Sequence, residues 1–595
     1  MQEDELRQWI EQVRSGGRSR RSFIQGLAAM GIGAPMASMM LSHAGIAQTR
    51  GAAPAYKPTQ RGGGGPLRLL LWQGPTLLNP HFAVGVKDNE GSAIFYEAMA
   101  RWDPDGNLLP VLAAEIPSRE NGGVAADGRS VVWNLKKGVT WHDGEPFSAD
   151  DVIFNWQYAT DPATASTRMG DYLGLKMERI DSHTVRVAFD RPTPFWPGSY
   201  CSSYLIPKHL FAPFIGAKSR DAPQNLKPVG TGPYKFVDFR PGDLLRGELN
   251  TDYHLPDHPH FDTVELKGGG DAASAARAVL QTGGFDYAWN LLVEDELLKR
   301  MEDGGKGRVI LADGGNVEFI QLAYADPATE VDGERASAKS RHPVLRDPAV
   351  RQAMALLVDR PSAEKFVFGR TGVATANILN NPARFRSSNM KAEFSVDKAN
   401  AVLDSAGWKR GPDGVREKDG RKLRLLYQTS INATRQKVQA IVKQACQKAG
   451  IELELKTVQA SVYFSSDVSN PDTTAKFLAD MQQYAFTMNE PDPARFMDQY
   501  VSWEFASKAN KWQGRNVSRW RNDEYDALYR AAEVELDPVK RAAMFIRMND
   551  LVCSDRHILP VVFRPKVVGV NNKLVMPLSG WAEDLSALAH WYREA

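Results

Sequence analysis

Short apolar runs alternate with amphipathic helical stretches along most of this chain. The run 67-LRLLLW-72 is apolar except for one arginine, which predicts a buried strand. The segments 131-VVWNLKKGV-139 and 183-HTVRVAFD-190 also predict strands, the second because its apolar positions alternate. Between them, Ser148 begins a capping box for a helix over 149–159. Strands and helices are therefore mixed in the first part of the chain.

The second half contains a clear strand–helix–strand pattern. Residues 422–429 predict a strand, residues 434–450 a helix that ends on a glycine, and residues 451–458 an alternating strand. The short joins between them predict a βαβ unit in a mostly parallel sheet. A helical stretch over 523–552 then precedes a last strand over 558–563. Together these patterns indicate an α/β protein.

The N-terminal segment has the composition of an export signal. Residues 22–42 carry no charge, but their glycines, alanines and proline make them only weakly hydrophobic. Residues 19–24, SRRSFI, resemble a twin-arginine signal, and residues 45–47 offer small side chains to a signal peptidase. We predict a twin-arginine signal peptide over 1–47 and a flexible linker over 48–65. An uncleaved membrane anchor is the alternative.

Length and charge narrow the class of protein. A chain of 595 residues is too long for one ordinary core, which predicts two or three lobes. Lys and Arg total 73 against 71 for Asp and Glu, so the net charge is +2 and we expect no nucleic-acid partner. The cysteines Cys201, Cys446 and Cys553 are far apart and predict neither a disulfide framework nor a metal-binding pair.

A histidine-rich segment is the strongest candidate for a metal site. The stretch 252-DYHLPDHPHFD-262 contains His254, His258 and His260, and three imidazoles can bind zinc or nickel. Two prolines interrupt the stretch and predict an extended, solvated loop. The spacing matches no known ligand pattern, so we predict no metal site.

Ser362 and Lys365 match the S-x-x-K pattern of serine acyl-enzymes. The K-T-G element that accompanies this pattern is missing, because Val458 follows Lys456 and Thr457. The sequence also has no G-x-S-x-G elbow, phosphate-binding glycine loop or H-E-x-x-H motif. We therefore predict neither an enzyme nor a cofactor, and keep a serine acyl-enzyme at Ser362 as a remote alternative.

Five segments, in this order along the chain, resemble one family of transport proteins. They are 97–117, 134–157, 228–236, 343–360 and 399–414. Each block is weak alone, but together they resemble the peptide/nickel/opine solute-binding proteins of ABC importers (bacterial extracellular solute-binding proteins, family 5). The second block, 134-NLKKGVTWHDGEPFSADDVIFNWQ-157, looks like the signature of that family.

The resemblance implies an α/β, type II periplasmic-binding-protein fold with two lobes, a hinge and an extra domain. The implied first lobe consists of 66–98, 226–312 and 556–595, the extra domain of 99–225 and the second lobe of 313–555. Members of this family trap a ligand between lobes that close about a hinge. A ligand can drive that closure only if it binds the closed state better.

The segment 481-MQQYAFTMNEPDPARFM-497 would form part of the cleft wall. In peptide-binding members, an aspartate in this segment pairs with the terminal ammonium of the peptide. Tyr484 keeps the aromatic position of the family, but Thr487 stands where that aspartate would be, and a hydroxyl cannot replace a buried charge. Glu490 or Asp492 could compensate, although we expect their turn to face solvent.

Two other positions depart from the peptide binders in the same direction. Val84 stands where oligopeptide binders can carry an acid, and Arg168 where they can have a tyrosine. An arginine in the cleft would favour carboxylate, phosphate or sugar-acid groups, whereas the alternative for Arg168 is a solvated loop position. The whole predicted ligand-binding site consists of Trp72, Val84, Gly85, Val86, Arg168, Asn316, Tyr484, Phe486, Thr487, Asn489 and Glu490.

These expectations define a function as well as a fold. The resemblance implies a periplasmic monomer that delivers a captured solute to an ABC permease and its ATPase. We expect the ligand to be a modified or blocked peptide, an opine-like conjugate or an oligosaccharide rather than a free-amine peptide. A ligand-binding sensor subunit for a membrane receptor would have the same fold and is the alternative.

Overall fold

A computed structural model describes residues 3–15, 17–29, 40, 54–104, 106–119, 121–193, 196–488, 490–535 and 537–594. Within these ranges, no helix combines the length and apolarity needed to cross a membrane.

In chain order, strands β1 to β23 of the described residues are Pro66–Leu71, Ala100–Trp102, Leu108–Pro110, Ser130–Asn134, Leu175–Asp181, Thr184–Phe189, Tyr234–Arg240, Leu244–Leu249, Thr263–Gly268, Tyr287–Ala288, Gly307–Leu322, Glu330–Val331, Glu334–Arg335, Val373–Ala374, Lys409–Arg410, Arg416–Lys418, Arg421–Lys422, Arg424–Ser430, Glu452–Val458, Met481–Phe486, Ile558–Asn571, Leu574–Val575 and Tyr592–Arg593. Helices α1 to α17 are Glu3–Arg14, Arg20–Ala29, Val86–Ala93, Ala149–Thr160, Met169–Tyr172, Gly198–Ser202, Lys208–Phe211, Ala272–Leu280, Asp295–Glu302, Pro348–Leu356, Arg360–Ala363, Val396–Ser405, Ala433–Lys448, Ala460–Tyr463, Ala494–Met497, Asp523–Ala532 and Pro538–Ser554.

One large sheet runs through the centre of the described chain. Its strand order is β19-β18-β20-β11-β21-β10-β1-β9-β8-β7, with β14 also paired to β21. The two longest strands, β11 with 16 residues and β21 with 14, lie side by side and antiparallel in the middle. They connect the strand group on one side with the group on the other, as crossing hinge strands between two lobes would.

The first strand group surrounds β1, which pairs in parallel with β9 and β10. The strand predicted over 67–72 is confirmed, since β1 covers Pro66–Leu71. Leu67, Leu69 and Leu71 are fully buried and the intervening Arg68 is exposed. This alternation fits a strand with one face in the core.

A separate three-stranded sheet, β4-β6-β5, lies within residues 99–225 and packs against α4. The predicted capping box at α4 is confirmed: the Ser148 amide donates to Asp151 Oδ2 at 3.0 Å. Such a cap stabilises a helix by about 1 kcal/mol. Asp151 Oδ1 also accepts from the Lys208 amide, so the same carboxylate ties the helix to a neighbouring loop.

The predicted βαβ unit is confirmed in the second strand group. Strand β18 pairs in parallel with β19 from Arg424↔Glu452 to Ser430↔Val458, and α13 connects them. Val438 and Val442 on α13 are almost completely buried. Strand β20 then adds in parallel on the other side of β18 and antiparallel to β11, which brings the segment 481–486 next to the crossing strands.

The crossing strands differ most from the sequence expectation. The last strand was predicted over 558–563, but β21 continues to Asn571, and β11 has no counterpart among the predicted strands. Gly314 and Gly315 interrupt the apolar pattern of β11. They are needed there, because a Cβ on Gly314 would lie 2.4 Å from the Gly580 carbonyl oxygen and one on Gly315 would lie 2.3 Å from Met488 Cβ.

Helices α1 and α2 fall in the segment predicted as a signal peptide, whose export role stays a prediction. The described part of the predicted linker lies against the histidine-rich loop. The Gly62 amide donates to the Pro259 carbonyl, and the Gly64 amide to that of His260. Both oxygens of Asp262 accept amides from this segment. The proposed domain limits likewise stay a prediction.

Candidate ligand-binding site

A cavity of about 390 Å³ lies where the crossing strands meet the two strand groups. Its walls come from residues 83–101, from the segment around Arg168, from β20 and the following segment to Val517, and from residues 581–589. Cavities of this size in proteins commonly hold small ligands. The position of the cavity between the strand groups makes it the candidate site.

Aromatic rings form one side of this cavity. Phe464 and Tyr484 lie edge to face with ring centroids 6.4 Å apart, and Phe486 and Phe496 do the same at 5.5 Å. Tyr484 and Phe486 belong to β20, which places alternate residues on one face of the sheet. Phe464 and Phe496 come from two short helical segments next to it. The Tyr484 hydroxyl donates to Gln321 Oε1 at 3.4 Å. The wall is therefore apolar but has hydrogen-bonding groups at its base.

The structure brings most of the predicted site residues to this cavity. Trp72 does not line it: its indole is buried and donates to the Asn290 carbonyl at 2.8 Å, while the adjacent Gln73 faces the cavity. Asn489 lies outside the described residues. The predicted residues that line the cavity are Val84, Gly85, Val86, Arg168, Asn316, Tyr484, Phe486, Thr487 and Glu490. Their roles in binding stay predictions.

Arg168 is held by the fold at the edge of the cavity and is not a solvated loop residue. Its Nη2 donates to Asn89 Oδ1 at 2.7 Å, and its Nη1 lies 3.6 Å from Asp171 Oδ2. Asp171 Oδ1 pairs in turn with Arg495 Nε at 2.5 Å. Burial alone would raise the pKa of Asp171, but Arg495 and Arg168 hold it below its ordinary value. The wall next to the aromatic side is thus a chain of paired charges.

The turn after β20 was expected to face solvent, and this expectation is wrong. Glu490 is 5% exposed and Asp492 is fully buried. Arg541, from α17, pairs with both carboxylate oxygens of Asp492 and donates through Nε to the Ala532 carbonyl at 2.8 Å. The acidic turn looks solvated in the sequence because its partner is 49 residues further along the chain.

A buried charge network lies between the crossing strands and the floor of the cavity. Glu318 of β11 is fully buried and lies 2.7 Å from Arg435 Nε and 3.4 Å from Arg564 Nη1. Burial raises the pKa of Glu318, but the two guanidinium groups outweigh burial and lower it overall. Sequence reasoning missed this network. A signal existed, since Glu318 is the single charged residue in the otherwise apolar or amide-bearing run 316-NVEFIQL-322.

A second charged cluster lines the opposite side. Glu90, fully buried in α3, accepts from the amides of Asp584 and Leu585 at 2.9 and 2.8 Å. Burial, reinforced by the nearby Asp584 carboxylate, raises the pKa of Glu90 well above its ordinary value. Lys566 Nζ lies 2.9 Å from Asp584 Oδ1. These groups therefore satisfy one another and fix the 581–589 segment against α3.

The histidine-rich loop is packed, which corrects the expectation of a solvated loop. His254 Nε2 lies 2.9 Å from Glu97 Oε2, and the Tyr253 hydroxyl donates to Glu97 Oε1 at 2.7 Å. Burial raises the pKa of Glu97, but its polar neighbours, foremost His254, lower it overall. Among the described residues, no three His, Cys, Asp or Glu side chains are grouped as a metal site would require.

The S-x-x-K motif marks the start of a helix. Ser362 Oγ donates to Asp359 Oδ2 at 2.7 Å, and the Ser362 amide donates to Asp359 Oδ1 at 3.0 Å. Lys365 Nζ lies 5.1 Å from the ring centroid of Phe366. Ser362 therefore serves as a capped helix residue, because Asp359, the helix N-cap, holds both its hydroxyl and its amide.

Comparisons with known proteins agree with this architecture. Residues 107–507 match the bacterial extracellular solute-binding proteins, family 5 Middle. The chain is 26% identical to the oligopeptide-binding protein AppA of Bacillus subtilis (strain 168) over 553 residues, which cover 90% of this chain and 93% of AppA.

Solved structures show the same fold. The structure of Bacillus subtilis AppA in complex with a nonapeptide has a TM-score of 0.77 and 23% identity and covers 91% of this chain and all of that chain (100%). NikZ from Campylobacter jejuni in complex with Ni(L-His) has a TM-score of 0.73 and 20% identity, with 89% and 99% covered. MoaA from A. tumefaciens R10 in complex with mannopinic acid has a TM-score of 0.71 and 19% identity, with 89% and 100% covered.

Two strand groups joined by crossing strands around a central cavity define a two-lobed binding protein, so the predicted α/β fold is confirmed. The chain belongs to the bacterial extracellular solute-binding proteins of family 5. Members of this family are non-enzymatic binding components of ABC transporters for peptides or related solutes, which confirms the expectation that this chain is not an enzyme.

Proposed function

We propose that this chain is a periplasmic, monomeric solute-binding protein, exported by the twin-arginine route, that delivers a peptide-sized polar solute to an ABC permease and its ATPase. The proposed ligand lacks a free α-ammonium group and is a blocked or modified peptide, an opine-like conjugate or an oligosaccharide. One observation carries this choice of ligand: the carboxylates around the cavity are already paired.

Every carboxylate that lines the cavity among the described residues has an interaction partner within the protein, although Glu490 Oε2 accepts no hydrogen bond there. An ammonium group of a ligand would have to compete with these partners. Desolvating an ammonium group without a carboxylate to receive it costs several kcal/mol. These carboxylates are Glu90, Glu97, Asp171, Asp467, Glu490, Glu583 and Asp584.

Thr487 supports the same conclusion. It lines the cavity at the position where peptide-binding relatives are expected to carry an aspartate, next to the aromatic rings of Phe486 and Tyr484. A hydroxyl can donate or accept one neutral hydrogen bond there, but it cannot balance a positive charge. The surroundings of Thr487 therefore suit a neutral or acylated end of the ligand.

The first test is native mass spectrometry of the mature protein purified gently from periplasm, followed by denaturation and identification of the released compound. The proposal expects one non-peptide mass or an N-blocked peptide. Released free-amine peptides of mixed sequence would contradict the choice of ligand class, although binding itself would be upheld.

A gain-of-function variant tests the role of Thr487 directly. Thr487→Asp should allow trialanine, a free-amine peptide, to raise the melting temperature, because a carboxylate would then face the cavity. The matched control is Thr457→Asp, on the exposed face of β19. The wild-type protein and the control should show no shift with trialanine. A shift of equal size in the wild-type protein would show that the Thr487 argument is wrong.

A further inference from the structure

The floor of the cavity contains a buried donor and a buried acceptor, on neighbouring residues of the crossing strands, that have no hydrogen-bond partner among the described residues. Arg564 of β21 and Asn316 of β11 are register partners on the crossing strands, and both line the cavity. Within the described part of the chain, the buried atoms Arg564 Nε and Asn316 Oδ1 have no hydrogen-bond partner. Buried polar atoms in folded proteins are nearly always satisfied, so each of these two calls for a missing partner.

The charges around Arg564 do not balance. Arg564 is 4% exposed. Glu318 is the carboxylate next to it, but Glu318 lies 2.7 Å from Arg435 Nε and 3.4 Å from Arg564 Nη1. One negative charge thus serves two buried guanidinium groups. Lys566, two residues further on, is paired with Asp584. A buried cation without full compensation is costly, and a bound anion removes that cost.

A third residue completes the pocket around this guanidinium group. Asn290 adopts a left-handed backbone conformation with φ +49°, which is uncommon for a residue other than glycine. Its side-chain Oδ1 lies 3.5 Å from Arg564 Nη2, at the limit of a hydrogen bond. Its backbone carbonyl is fixed by the Trp72 indole at 2.8 Å. The conformation holds Asn290 at the edge of the cavity beside Arg564.

We propose that Arg564, Asn316 and Asn290 form a subsite for a carboxylate that carries an N–H or O–H group on a neighbouring atom. The carboxylate accepts from Arg564 Nε, and the neighbouring N–H or O–H donates to Asn316 Oδ1. An N-acylated amino acid and a sugar acid share this arrangement. The inference rests on the proposed function and narrows its ligand to an acidic solute.

The position of the subsite gives it a role in closure. Arg564 and Asn316 belong to the two strands that connect the strand groups, so a ligand seated on them contacts the hinge itself. The aromatic wall, from β20 and its neighbours, lies on one side of that floor, and α3 lies on the other. A ligand held at the hinge can contact both sides only when they approach each other, which favours the closed state.

The test measures melting temperatures of the mature protein with sodium N-acetylglycine, sodium gluconate, sodium chloride at equal ionic strength, and glucose. Both carboxylates should raise the melting temperature above the chloride control, and glucose should not. Arg564→Gln should weaken the binding of both by about tenfold or more, which corresponds to about 1.4 kcal/mol. A response to N-acetylglycine alone would identify an N-acylated amino acid as the ligand class, and a response to gluconate alone would identify a sugar acid. Arg424→Gln, at an exposed arginine on β18, is the matched control for loss of a positive charge.

A second variant keeps the test decisive if Arg564→Gln folds poorly. Asn316→Asp places a permanent carboxylate opposite Arg564, so it should abolish the response to N-acetylglycine and gluconate while the protein stays at least as stable as wild type. If neither carboxylate exceeds chloride, or if Asn316→Asp binds both normally, the anion subsite is wrong. A neutral solute found by native mass spectrometry would also overturn the subsite but would leave the proposed binding function standing.

Discussion

Replacing Glu318 by glutamine should destabilise the protein strongly, although the side chain keeps its size. Glu318 is fully buried and accepts from Arg435 Nε at 2.7 Å and from Gln483 Nε2 at 3.2 Å, with Arg564 Nη1 at 3.4 Å. The neutral amide leaves two buried guanidinium groups without a counter-charge. No cavity forms, because glutamine and glutamate have nearly the same volume, so the loss is electrostatic.

The expected size follows from the burial of the network. Removing one partner of a buried ion pair costs about 3–5 kcal/mol, because it leaves an uncompensated charge. Glu452→Gln provides a matched control, since Glu452 is also 2.7 Å from an arginine, Arg424, but both side chains are half exposed. Exposed pairs at this distance contribute within about 1 kcal/mol. The two variants therefore separate the effect of burial from that of distance.

Urea unfolding of both variants, followed by circular dichroism at neutral pH, measures the difference. Equal shifts for Glu318→Gln and Glu452→Gln would refute the argument. The dependence on pH gives a second check. The folded pKa of Glu318 lies below its ordinary value of 4.5, so its stabilisation is complete above that value and is lost as pH falls through the lowered folded pKa. The difference in the free energy of unfolding between wild type and Glu318→Gln should become smaller in that acidic range.

Two further substitutions test other parts of the structure. Asp492→Asn should lower the free energy of unfolding by about 3–5 kcal/mol, because it breaks the buried pair with Arg541. The exposed Asp523→Asn should change that free energy by less than about 1 kcal/mol. Equal urea midpoints for the two variants would contradict this expectation. Ser362→Ala should leave ligand binding intact and lower the free energy of unfolding by about 1 kcal/mol through the lost hydrogen bond to Asp359. A fluorophosphonate should add no mass to the wild-type protein. An adduct that forms on the wild-type protein but not on Ser362→Ala would support the acyl-enzyme alternative.

The regular parts of the fold could be predicted from periodicity. The βαβ unit of β18, α13 and β19 follows from alternating and helical apolar positions, and the cap at Ser148 follows from side-chain chemistry alone. Strand β11 could not be found in the same way. Its apolar pattern is interrupted by Gly314 and Gly315, whose small size is required by contacts with Gly580 and Met488, far away in sequence.

In the candidate site, the positions of some residues could be predicted from the sequence, but the pairing of their charges could not. Positions such as Arg168 and Thr487 could be placed at the cavity because the short segments around them can be compared with cleft segments of the family. The state of each charge could not, because it depends on a partner from another segment: Arg541 for Asp492, and His254 for Glu97. Residue type indicates that a charge is present, but only the fold shows whether another side chain already neutralises it.

From this distinction we infer that the crossing strands matter more for the choice of ligand than the number of charged residues in the cavity. Most cavity charges are held in internal pairs, so they shape the walls without attracting a ligand of either sign. Arg564 differs, because Glu318 is shared with Arg435 and because Nε has no partner among the described residues. We therefore infer that selectivity in this cavity depends in part on Arg564 and Asn316, whose atoms without a partner in the described part of the chain lie on the two strands that connect the strand groups.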